Sequence, residues 1–121
     1  SRHNYFYPLR IRPGGRTVAL SEYGGIAWPM PGHEPPGKTY GYGTAKDKAD
    51  LTKRYKMLQW KTILPQLGRG LSALVYTQLT DVEDEVNGLF TYDRAALKPE
   101  AAAVRSCNAA LAAEFAKATA K

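Results

Sequence analysis

The sequence predicts an α/β fold in βαβα order, and three observations predict it. Two short apolar runs each end in acidic residues. The first is Thr17-Val18-Ala19-Leu20-Ser21-Glu22, followed by Tyr23-Gly24-Gly25. The second is Ser72-Ala73-Leu74-Val75-Tyr76-Thr77-Gln78-Leu79, followed by Thr80-Asp81-Val82-Glu83-Asp84-Glu85-Val86-Asn87-Gly88. A helical pattern separates them, and an alanine-rich run from Glu100 to Ala118 follows the second. A strand–helix–strand order leaves the two strands parallel. In parallel α/β folds, ligands and chemistry gather at the carboxyl ends of strands. Both runs put carboxylates there.

Each element follows from its local pattern. Residues 1–16, rich in aromatics, Arg, Pro and Gly with a turn signal at Pro13-Gly14-Gly15, read as a lead-in loop. Their start, Ser1-Arg2-His3-Asn4-Tyr5, lacks an initiating Met, so a processed or cut chain is expected. Residues 17–23 form the first strand. Residues 24–43 carry so many Gly and Pro that regular structure is forbidden, and a loop of that length is usually functional or disordered. Trp28, His33, Tyr40 and Tyr42 lie in it and argue for a binding loop.

A helix is expected over 44–67. Thr44-Ala45-Lys46-Asp47 resembles a capping box with Thr44 as N-cap. Leu51, Tyr55, Leu58 and Thr62 form its buried stripe, and Pro65, Gly68 and Gly70 end it. Trp60 follows helical spacing from Met57 and reads as packing. The second strand spans 71–79 and a pocket loop spans 80–98. The last helix spans 99–119, with Pro99 near its start and Val104, Cys107, Leu111 and Phe115 as its buried stripe.

Composition excludes several classes. The chain has 121 residues, enough for one domain with a real core, and its 44% hydrophobic and 23% charged content is that of a globular protein. No apolar stretch approaches the ~20 residues of a membrane span, so no membrane partner is expected. The single Cys107 excludes an internal disulfide and leans the compartment towards the cytosol (cytoplasmic). The net charge of +6 raises nucleic acid as a partner. The densest basic group, Lys46, Lys48, Lys53, Arg54, Lys56 and Lys61, alternates with an apolar helix face and reads as solvated surface, so no nucleic acid is expected. Asp81, Glu83 and Glu85 lack the Gly-containing loop and full oxygen set of a Ca²⁺ site. No metal and no cofactor are implied.

Two strands and two helices cannot bury one another completely, and the outer strand edges would stay unpaired. Both strands are also near-continuous apolar runs, as in a sheet covered on both faces. The chain therefore reads as part of a larger sheet or barrel, and on its own it is expected to self-associate or exchange strands between copies.

Three segments carry a resemblance: Leu20-Ser21-Glu22-Tyr23-Gly24-Gly25-Ile26, the Tyr40-Gly41-Tyr42-Gly43 loop, and Val75 to Leu89 with Tyr92-Asp93-Arg94. Together they resemble the end of a glycoside hydrolase family 2 catalytic domain, the family of β-galactosidases, β-glucuronidases and β-mannosidases. The resemblance covers almost the whole chain. It implies a partial TIM barrel: seventh strand, seventh helix, eighth strand and eighth helix. A full barrel takes ~250 residues, about twice what is present. The partners implied are a carbohydrate substrate and the remainder of the barrel.

The resemblance also implies the site. Retaining glycosidases use two carboxyl groups roughly 5–5.5 Å apart, one as nucleophile and one as acid/base. Glu22 holds the nucleophile's position at the end of the seventh strand. The family's acid/base is the Glu of an Asn-Glu pair after the fourth strand. No such pair occurs here, so the chain alone is expected to be inactive. The resemblance draws His3, Tyr5, Tyr23, Trp28, Gln78, Asp81 and Glu83 into the substrate pocket.

Each residue also has a plainer reading. Glu22 is otherwise a solvated or Arg-paired strand-end carboxylate. Asp81, Glu83 and Glu85 either touch sugar hydroxyls or brace their loop. Trp28, Tyr40 and Tyr42 either stack on a sugar ring or pack the long loop. Side-chain alternation turns the Tyr23 hydroxyl away from Glu22. Single loop histidines such as His33 are solvated by default. The rival functions are a non-catalytic carbohydrate-binding or inactive relative, and a basic nucleic-acid-binding α/β domain.

Overall fold

The computed structural model describes residues 15–39, 41 and 43–120. They form β1 (Val18–Gly24), α1 (Lys48–Met57), a π-helical turn (Leu58–Ile63), α2 (Leu64–Leu67), β2 (Leu71–Thr77) and α3 (Ala101–Thr119). The described residues are thus a small α/β unit. β1 and β2 pair in parallel as a two-stranded sheet, and α3 packs on the helix that connects them. His3 and Tyr5, with most of the lead-in loop, lie outside the described residues, as do Tyr40 and Tyr42.

The connecting helix begins at Asp47 and not at Thr44. The Asp47 carboxylate accepts the Asp50 amide at 2.7 Å, and Asp50 in turn accepts the Lys46 amide at 3.0 Å, so the capping pair sits three residues later than expected. A cap of this kind is worth about 1 kcal/mol. Thr44 instead forms an isolated bridge with Ala27.

The helix also runs past Pro65, which was expected to help end it. Its middle turn is π-helical, with the Leu64 amide reaching back to the Gln59 carbonyl. Pro65, which has no amide to donate, then sits in the first turn of α2, where none is needed. The wider turn moves the buried stripe by one residue. Leu51 and Tyr55 are buried as expected, but Gln59 and Ile63 follow them inward in place of Leu58 and Thr62. Trp60 is correspondingly on the surface. In α3 only Cys107 of the expected stripe is fully buried; Val104 and Leu111 are partly buried and Phe115 is exposed.

Two register breaks shape the sheet. Val18 pairs with Leu71, Ala19 with Ala73 and Leu20 with Leu74. The next pairs are Tyr23 with Tyr76 and Gly24 with Thr77, so Ser21 and Glu22 together stand against Val75 alone. Leu20, Leu74, Tyr23 and Tyr76 share the face that meets the helices. Ala19, Ser21, Glu22, Ala73 and Val75 are exposed. Strands expected to be covered on both faces are therefore covered on one among the described residues. Gly24, at φ +104°, closes β1, because a β-carbon there would run into the Tyr76 ring and the Thr77 carbonyl.

Candidate functional site

The carboxyl ends of β1 and β2 lie side by side, and the loops that leave them are joined. The Gly25 amide donates to the Thr77 carbonyl at 2.7 Å, and the Trp28 amide to the Val86 carbonyl at 2.8 Å. The Trp28 ring turns inward and packs with Ala45 and Leu51, flanked by Ile26 and Met30. The long loop is thus anchored by its tryptophan.

Beyond β2 the chain passes a cis Thr77–Gln78 peptide and pairs with itself. The Gln78 amide donates to the Asn87 carbonyl and the Gln78 carbonyl accepts the Leu89 amide, the Phe90 amide donates to the Leu79 carbonyl, and Val82 and Glu85 close a tight turn. Glu83 is exposed at the tip of that turn with φ +54°. Gly88 sits so close to Thr80 and Asp81 that a β-carbon would collide with their backbone.

Lys98 holds this arrangement together. Its side chain is fully buried, and its Nζ donates to Asp81 Oδ1 at 2.7 Å and to the carbonyls of Trp28 and Val86, each at 2.9 Å. Asp81 Oδ1 also accepts the Gly88 amide at 2.8 Å. Burial pushes the Lys98 ammonium below its usual range, while Asp81 beside it pulls the other way. One ammonium, satisfied by three acceptors, therefore locks both loops. Sequence reading missed it, because a lysine before Pro99 looks like any surface lysine.

A second tie lies nearer solvent. His33 Nδ1 is 2.6 Å from Asp93 Oδ2, while Asp93 Oδ1 accepts the Thr91 hydroxyl at 2.6 Å and the Ala95 amide at 2.9 Å. The Thr91 hydroxyl first, then the Ala95 amide and His33, hold the Asp93 carboxyl well below the usual carboxylate range. His33, expected to be a free surface histidine, joins one loop to the other.

Glu22 stands on the open side of the sheet, in the two-residue bulge opposite Val75, which is 56% exposed. Bulges next to active sites re-aim side chains. Tyr23, one residue on, points the opposite way. It is buried, lies edge-on to Tyr76 with centroids 5.3 Å apart, and shares a hydrogen bond of 3.3 Å with the Gln59 side chain. Burial raises the phenol pKa of Tyr23, Tyr55 and Tyr76 alike, so all three stay neutral.

Gln78 lies just beyond β2, at the same end of the sheet as Glu22. Its Nε2 donates to Asn87 Oδ1 at 2.7 Å and to Glu85 Oε2 at 3.3 Å, and Asn87 Nδ2 donates to the same Glu85 oxygen. The result is a half-buried amide–carboxylate group rich in hydrogen-bonding capacity. Among the described residues no group of three or more His, Cys, Asp or Glu is arranged to hold a metal ion. No helix among them is long and apolar enough to cross a membrane. A groove of about 590 Å³ lies between α1 and the start of α3, lined by Lys48, Thr52, Lys53, Lys56, Met57 and Glu100, and none of the predicted site residues borders it.

The predicted residues therefore separate into two sets. Glu22 and Gln78 sit at the mouth of the sheet, with Glu83 at the tip of the second loop, while Tyr23, Trp28 and Asp81 are inside the molecule. No family model matches the chain, and no curated protein does either.

Proposed function

We propose that this chain is the C-terminal part of the (β/α)8 barrel of a retaining β-glycosidase, with Glu22 as its nucleophile. The observation that carries the reading is the bulge at Ser21–Glu22. It aims an exposed carboxylate from the carboxyl end of a parallel strand onto a face that the described residues leave open. The resemblance of residues 20–26 and 75–94 to glycoside hydrolase family 2 supports it from the sequence side. The exposed apolar Val75 supports a larger barrel, since further strands would cover it.

In this reading a Glu22 carboxylate oxygen attacks the anomeric carbon and the glycosidic C–O bond breaks. The leaving oxygen takes a proton from a carboxylic acid supplied by the rest of the barrel. Water, deprotonated by that same group, then breaks the glycosyl–Glu22 bond. Gln78, Glu83 and the Glu85–Asn87 pair offer hydrogen bonds to sugar hydroxyls. Tyr23, Trp28 and Asp81 serve the site from behind, as packing and bracing.

The test uses the full-length natural polypeptide and 2-deoxy-2-fluoro glycosides of galactose, glucuronic acid and mannose, followed by peptide mapping. Label on the peptide containing Glu22 is the expected result, and Glu22→Gln should lower turnover by roughly 10⁴-fold or more. Label on another carboxylate would overturn the assignment. A folded protein that takes no label would favour a binding module or an inactive relative.

A further inference from the structure

The side chain of Gln59 is 2% exposed, in a place where the helix pattern asks for an apolar residue. Positions 58 and 62 continue the stripe of Leu51 and Tyr55 at α-helical spacing, and either would meet the sheet if the helix were regular. The π-helical turn Leu58–Ile63 instead brings position 59 inward. π-turns of this kind are often found at functional sites. Burying an amide among aromatic rings is unfavourable unless it is hydrogen-bonded. Here its partner is the hydroxyl of Tyr23, 36 residues away in sequence.

Tyr23 is the residue that closes the bulge. On one side of Ser21–Glu22 the register is held by Leu20 against Leu74, and on the other by Tyr23 against Tyr76. The direction of the Glu22 side chain therefore depends on where Tyr23 is fixed. Two contacts fix it: the edge-on Tyr76 ring, itself 5.4 Å from the Tyr55 ring, and the Gln59 amide.

We propose that Gln59 is a positioning residue for Glu22, acting through Tyr23. The π-turn carries the amide to the back of the sheet, the amide fixes Tyr23, and the fixed bulge sets the direction of the carboxylate on the front. The proposal rests on the reading of Glu22 as the nucleophile.

The experiment measures covalent labelling of the full-length polypeptide by the fluoro glycoside that labels it fastest. The variants are Gln59→Leu, Tyr23→Phe, the double variant and Gln59→Glu, each with a thermal melt. Gln59→Leu should slow labelling at saturating glycoside by about tenfold to a hundredfold. Its half-saturating concentration should stay within about twofold of wild type, because the sugar's own contacts are intact. Tyr23→Phe keeps the ring packing and should match it, and the double variant should be no slower than either single one. Gln59→Glu, held neutral by its burial, keeps an oxygen for the hydroxyl and should restore most of the rate. A Gln59→Leu protein that melts earlier but labels at the wild-type rate would make the residue structural only and overturn the proposal. Additive slowing in the double variant would overturn the route through Tyr23. Wild-type protein that takes no label on the Glu22 peptide would remove the nucleophile reading itself, before any variant is compared.

Discussion

The two sides of the β1–β2 sheet are built differently. On the helix side, Tyr23 and Tyr76 meet Tyr55 and Gln59, and the amide and the Tyr23 hydroxyl satisfy each other. On the other side Ala19, Ser21, Glu22, Ala73 and Val75 are exposed, and Leu79 just beyond β2 is 67% exposed. The first side is an interior in the usual sense, with its rings packed and the buried Gln59 amide bonded to Tyr23. The second has the small and β-branched residues of an interior without the cover. The contrast teaches that the described residues complete the support among themselves and leave the surface bearing Glu22 open.

The largest expected loss comes from the joint between the loops. Lys98→Met leaves the Asp81 carboxylate buried without its cation, and breaking a buried pair in this way costs about 3–5 kcal/mol. Adding Asp81→Asn removes the stranded charge and keeps an oxygen for the Gly88 amide, so the double variant should recover part of the loss in urea unfolding. Next is the ring at the back of the sheet. Tyr76→Ala removes the partner of both Tyr23 and Tyr55 and should cost about 3 kcal/mol, the low end for truncating a packed aromatic. Gly88→Ala follows at about 1–3 kcal/mol, because its methyl group must displace the Thr80–Asp81 backbone. A loss below about 0.5 kcal/mol for Tyr76→Ala would mean that the closed side is not what holds the sheet to its helices, and one that small for Lys98→Met would mean the same of the joint between the loops.

Much of this was legible from residue pattern alone, and the misses have physical causes. The βαβα order followed from two short apolar runs, from helical spacings of three and four residues between and after them, and from Gly and Pro punctuation. The one-sided burial did not, because an apolar run states that a strand has cover without stating which chain supplies it. The π-turn left a trace that was overlooked. Leu51, Tyr55, Gln59, Ile63 and Leu67 recur every four residues, wider than the 3.6 of an α-helix, and a stripe that stays buried at that spacing requires a wider turn. Glu22 stood out because it ends an apolar run at the carboxyl end of a strand and falls within a segment that resembles glycoside hydrolase family 2. Lys98 could not stand out, since its role is created by carbonyls of Trp28 and Val86 far away in sequence. His33 and Asp93, 60 residues apart, are the same case.

Val75→Thr sharpens the comparison directly. It keeps the side-chain shape and places a hydroxyl on the open face. In the chain alone, diluted until it is monomeric, that group stays wetted, so unfolding should change by no more than about ±0.5 kcal/mol. In the full-length polypeptide, further strands over the same face would bury the hydroxyl and raise the loss to about 1–3 kcal/mol. Equal and small effects in both proteins would mean that the face stays open, and the barrel reading would fall with it.

The smallest expected effect concerns the outer tie between the loops. Asp93 has its carboxyl held below the usual range by Thr91, Ala95 and His33, in that they favour the ionised form. A carboxylate depressed in the folded state contributes fully above its unfolded value, about 3.9, and loses that contribution only as pH falls through the lower folded value. Between pH 7 and pH 4 the Asp93 carboxylate therefore stays charged. An NMR titration of the Asp93 side-chain carbon should show its midpoint well below the ordinary value of about 3.9, and Thr91→Val should raise it, since that hydroxyl contributes most to holding the carboxyl down. A midpoint at the ordinary value in the wild type would mean that His33 and Asp93 are not held together in solution. Among the described residues the two loops would then be joined through Lys98 and the Gly25 and Trp28 amides.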